Sequence, residues 1–164
     1  MMHPRDYSTE LLLLYEKGRI DASLFTHLSL FHEGALQRAL RSLAEIEYIM
    51  TKAILPLVRT RCTHLSSRAG DDLYLTGIQH ANMLSGLSSS QLASKLAADF
   101  TRSSEDIGRV QSLGGVFPES ERIIRQHLEH EQAIVVTMSR LATGCDIPEG
   151  ECSMGAWIAR YAHG

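Results

Sequence analysis

Histidine and cysteine are the residues of this 164-residue chain with the most chemistry to offer, eight of the first and three of the second. Two histidines are set apart by their spacing. His127 and His130 lie three residues apart, so on a helix both imidazoles occupy one face. The same face carries Ile123 and Ile134 and so looks toward a core, where an imidazole needs hydrogen bonds or a metal ion. Both outcomes stay open at this level: a polar cluster satisfied inside a bundle, or a pair of ligands. The His–Glu neighbours His32-Glu33 and His130-Glu131 are adjacent in sequence and point in different directions on a helix, and paired Glu-x-x-His units of the di-iron type are absent. There is no nucleophile elbow, no P-loop and no dinucleotide fingerprint, and Gly114-Gly115 reads as a loop break. Cys62, Cys145 and Cys152 form an odd set without secreted-type spacing, which predicts free thiols in a reducing cytosol. Cys152 lies near the start of a short helix whose field favours a thiolate, although Glu149 and Glu151 oppose it. Cys145 would be its resolving partner in a redox role.

The elements that must position these residues read as helices throughout. Leu, Ala, Ser and Ile are plentiful and aromatics make up 6%, a mixture that suits helices better than sheets. A first helix is expected from Ser8, as its cap, to Lys17, stopping at Gly18. Its run Leu11–Leu14 is apolar all round and needs a buried setting or a partner. A second is expected from Asp21 to Pro56 or beyond, with a stripe at Leu36, Leu40, Leu43, Met50, Ile54 and Leu57. Glu47 fills the one place in that stripe where an apolar residue is missing, and reads as a solvated or interface-edge side chain. Pro56 is expected to kink or end this helix. After a hinge at Ser66–Gly70, a third helix runs from Asp71 or Asp72 to Ser85-Gly86. A fourth begins at Ser88, where Ser88-x-x-Gln91 is a capping box, and reaches Ser103-Ser104 or Leu113. A fifth runs from Pro118 to Gly144 and a last one from Pro148 to Ala162. Five to six helices joined by short loops predict one all-α domain over residues 1–164, an antiparallel helical bundle.

Past the fifth helix, the segment Cys152-Ser153-Met154-Gly155-Ala156-Trp157 resembles the Cys-x-[Leu/Phe/Met]-Gly-x-Trp motif of bacterial chemoreceptor zinc-binding domains. The resemblance covers about residues 127–158. It implies a four-helix regulatory domain in which the Cys152 thiolate ligates zinc together with a histidine upstream, His130 or His127, 22 or 25 residues before it. Thiolate with imidazole is a ligand set that suits Zn²⁺. The family's later His-x-x-x-His pair has no counterpart in these 164 residues, so remaining ligands would come from His163, His80, His32 or a second subunit.

Charge and length bound the partners. A net charge of −3 with scattered arginines lacks the basic stripe of a nucleic-acid binder; the densest basic patch, Arg59, Arg61 and His64, reads as a solvated helix end. The N-terminus lacks a signal-peptide pattern, and Leu11–Tyr15 is too short to span a bilayer. The leading expectation is a non-enzymatic, cytoplasmic, bacterial regulatory or sensory module, zinc-responsive through His127, His130 and Cys152, acting on a protein partner or as a homo-oligomer. The alternative is a metal-free interaction module that uses Leu11–Leu14 and the stripe of the second helix as contact surfaces.

Overall fold

A computed structural model describes residues 4–64, 66–114, 118–145, 147 and 152–162. Among these it contains six α-helices and no strand: α1 (Pro4–Leu28), α2 (Gly34–Arg61), α3 (Gly70–Leu84), α4 (Ser89–Gly114), α5 (Pro118–Ala142) and α6 (Ser153–Tyr161), with a 3₁₀ turn at Ser29–Phe31 between the first two. The all-α expectation is met.

The boundary between the first two helices differs from the expectation, for a packing reason. Gly18 does not end α1. It is buried where α1 crosses α2, and a Cβ there would lie 2.9 Å from Thr51 Oγ1 and 3.5 Å from Glu47 Oε2. Asp21 does not start a helix either; one turn after Lys17, it is bonded by that ammonium. The chain turns at 29–33 instead, where Ser29 Oγ donates to Thr26 O and Gly34 takes a φ of +65°, a conformation that suits glycine. Ser8 is likewise no cap of its own helix: its hydroxyl donates 2.9 Å across to Arg61 O, closing the end of α2. Pro56 lies inside α2, which continues to Arg61, and the proline is exposed.

Three side-chain bonds set the pairing. Ser8 to Arg61 makes α1 and α2 antiparallel, Ser90 Oγ to Ala142 O (2.9 Å) does the same for α4 and α5, and Trp157 Nε1 to Gln126 O with Cys152 beside Thr137 runs α6 antiparallel to α5. The third helix lies parallel to α1, with Ser23 Oγ donating to Tyr74 O, and Gly77 allows the approach: a Cβ there would stand 2.4 Å from Ile20 O. Helices α2, α5 and α6 meet and join the two antiparallel pairs. The main core gathers Phe25, Leu28, Leu40, Leu43, Ile46, Leu92, Phe100, Ile134, Met138 and Trp157, and a second core at the far end gathers Tyr7, Leu11, Ile54, Leu57, Ile107 and Ile124. Within the leucine run, Leu11 and Leu12 are buried whereas Leu13 is half exposed, so the run is amphipathic in place.

The capping box of α4 is formed as the spacing predicts. Ser88 N donates to Gln91 Oε1 at 2.9 Å, and Gln91 N donates back to Ser88 Oγ at 3.2 Å. Ser88→Ala should lower the unfolding free energy by about 1 kcal/mol in urea titration, with Ser88→Asp restoring most of it. The last helix begins at Ser153, with Cys152 in the N-cap position; the expected start at Pro148 lies outside the described residues. No helix among the described residues is long and apolar enough to cross a membrane.

Candidate metal centre

The inward row of α5 is apolar at Ile124, Ile134 and Met138, and polar in the turn between them, where His127, His130 and Glu131 follow one another at i, i+3 and i+4. These three side chains are driven into the core by the apolar residues on either side. His130 is 0% exposed, Glu131 1% and His127 6%. The imidazole centroids are 4.3 Å apart, His127 Nε2 lies 3.4 Å from Glu131 Oε1, and His130 Nε2 lies 3.9 Å from the same oxygen. One ligand-type atom from each of the three falls within 4.8 Å of the other two.

Two further elements close around them. From α2, Glu47 enters at 2% exposure with its Oε1 3.9 Å from His130 Nε2. From α4, Ser103 Oγ donates to Glu131 Oε1 at 3.3 Å. The indole of Trp157 packs edge-on against His130 from α6, with centroids 5.7 Å apart.

The electrostatics of this spot are costly as it stands. Burial, reinforced by the charges of His127 and Lys17, pushes the His130 imidazole well below its ordinary 6.5. Burial raises the Glu47 carboxyl well above its ordinary 4.5; Asp21 and Glu131 add to the shift and Lys17 opposes it. Glu47 Oε1, His127 Nδ1, both ring nitrogens of His130 and Glu131 Oε2 are buried without a hydrogen-bond partner. Such groups cost about 1–3 kcal/mol each when left unpaired. Two imidazoles and the Glu131 carboxyl gathered within 4.8 Å of one another, with the Glu47 carboxyl beside His130, form a donor set for a divalent transition metal. A cation there would pair the carboxyls and occupy imidazole lone pairs at once.

Of the three residues expected to hold metal, the structure brings together His127 and His130. Cys152 stands elsewhere: its Sγ is 3.9 Å from Thr137 Oγ1, and Thr137 lies seven residues beyond His130, roughly 10 Å along the helix. Cys152 is half-buried and outside the clustered group, and the Cys145 thiol is exposed, held by Thr143. His80 is exposed on α3. His32 is buried at the start of α2 with Nδ1 3.4 Å from Ser89 Oγ, and burial lowers its pKa. His163 lies outside the described residues.

Sequence reasoning missed Glu131 and Glu47. Adjacency of His130 and Glu131 looked like divergence, but Glu131 is one turn after His127, and that i, i+4 relation was there to be read. Glu47 is not a solvated edge residue; it occupies an inward stripe position between Leu43 and Met50, and both of those neighbours are buried. The chain matches no protein-family model, no curated protein and no solved structure.

Proposed function

We propose that this chain is a non-enzymatic, metal-responsive regulatory module whose core site binds a divalent transition metal, with zinc the first choice, through His127, His130 and Glu131 and with Glu47 beside them. The observation that carries this reading is the gathering of unpartnered buried nitrogen and oxygen atoms at one point of the core. Zinc accepts imidazole and carboxylate ligands at about 2.0–2.2 Å, and needs no thiolate. Because the three donors belong to α5 and Glu47 beside them to α2, an ion would tie one helix pair to the other. Its loss would loosen that joint and alter the surfaces offered to a partner. The chemoreceptor-type Cys152–Trp157 segment supports a sensory, cytoplasmic setting, with Trp157 packed on the site while Cys152 stays apart from it.

Elemental analysis of untagged protein tests the reading. About one zinc, iron or manganese per chain is expected, lost in His130→Ala and in Glu131→Gln and retained in Cys152→Ser. A metal-free protein whose melting temperature does not respond to added zinc would retire it. In that case the second reading, an interaction module, gains from the exposed Tyr74, Leu75 and Met83 on α3. It would be tested by light scattering for self-association.

A further inference from the structure

Cys152 and Gly155 take no part in the centre, and both line a separate cavity of about 340 Å³. Its walls come from α2, α5 and α6, the three helices that join the two antiparallel pairs. A space of this size falls at the small end of ligand pockets, about 300–1,000 Å³.

The lining is graded with depth. Ala39, Thr137 and Ile147 are buried and form the floor. The polar groups of that floor already answer one another. Thr137 Oγ1 donates to Ala133 O at 2.9 Å, which leaves the Cys152 thiol as the donor in their 3.9 Å contact. Gly155 keeps one wall open, since a Cβ there would only touch Cys152 Cβ, at 3.9 Å. Arg38 and Arg41 are exposed and stand at the mouth.

These two guanidiniums lie at i and i+3 on one face of α2, where like charges repel. Among the described residues neither guanidinium makes an ion pair or a hydrogen bond, and no lining residue is a carboxylate. In a chain of net charge −3 this leaves two adjacent cations unanswered above an apolar floor. The planar fork of arginine matches the two oxygens of a carboxylate.

We propose that this cavity binds a small organic acid, with its carboxylate held by Arg38 and Arg41 and its apolar body resting on Leu141 and Ile147. The ligand touches α2, α5 and α6 together and gives the module an input separate from the metal. The site stands independently of the metal reading, since none of its residues is a donor of the centre.

Naphthylacetate and its uncharged analogue naphthylacetamide, titrated calorimetrically into the full chain, test the site. The acid should bind saturably and about tenfold more tightly than the amide, the worth of one charge-assisted contact. In Arg38→Met/Arg41→Met, changed at two exposed positions, that preference should vanish while the circular dichroism spectrum stays that of the parent. Saturating naphthylacetate should also slow iodoacetamide alkylation of Cys152 and leave the exposed Cys145, the internal control, at its unprotected rate. Equal affinity for acid and amide in the parent, or no binding of the acid, overturns the proposal. So does a preference that survives in the double variant, or Cys152 alkylation that ignores the bound acid.

Discussion

Trp157→Ala should remove about 3–5 kcal/mol of unfolding free energy, the largest loss expected from any single truncation outside the centre. The indole is 5% exposed and belongs to the main core. Its Nε1 donates to Gln126 O at 3.2 Å, and its ring stacks between His130 and Tyr161, with centroids 5.7 and 4.8 Å away. Truncation leaves a cavity and an opening over His130. Trp157→Phe keeps the ring and loses the hydrogen bond, so it should recover most of the loss and leave about 1 kcal/mol. The measurement is urea unfolding by circular dichroism. A loss below 1 kcal/mol for the alanine variant would mean that α6 does not anchor the bundle. Since Tyr161 OH also donates to Glu129 of α5, the last helix has a second hold on α5, and Trp157→Ala should destabilise it without freeing it.

Glu47→Gln should have effects of opposite sign in the metal-free and metal-loaded protein. Without metal, the fold favours the protonated acid, because burial, Asp21 and Glu131 raise this carboxyl well above 4.5 despite Lys17. A raised pKa places the stabilising contribution below the unfolded value, and it is lost as pH rises through the folded one. Glutamine is a permanent stand-in for the neutral acid. Variant and parent should be equally stable below pH 4.5, and the variant should gain as pH rises, on the order of 1–3 kcal/mol at alkaline pH. His130 works in the other direction: its lowered pKa gives stability that is full above 6.5 and is lost as pH falls through the folded value. With metal bound, the same substitution removes a charged oxygen next to the ion and should weaken affinity by roughly 10–100-fold. Paired denaturation and metal-competition titrations read both signs. A variant less stable than its parent in the metal-free state at alkaline pH would contradict the electrostatic account.

Much of the bundle was legible because its signals are local. The Ser88–Gln91 box, the Pro118 start and the stripe of α2 each reflect forces acting within a turn or two of one helix. The α1–α2 boundary was not legible, since Gly18 and Asp21 carry the letters of a stop and a start. Their job depends on a neighbour: Gly18 makes room for Thr51 and Glu47, and Asp21 answers Lys17. The same division holds at the centre. His127 and His130 were readable from their i, i+3 spacing. That Glu47 lies against His130 is a fact about how α2 lies on α5, which no pattern within α2 records. The cysteine expected beside the imidazoles sits two turns away because α6 runs antiparallel to α5 from a start at Ser153.

The most direct measurement is anomalous diffraction at the zinc edge from crystals of the zinc-loaded protein. The account predicts one strong peak in the core, bonded by His127, His130 and Glu131 at about 2.0–2.2 Å, with Glu47 alongside. A peak at Cys152 or at a surface histidine, with the α5 cluster empty, would contradict it.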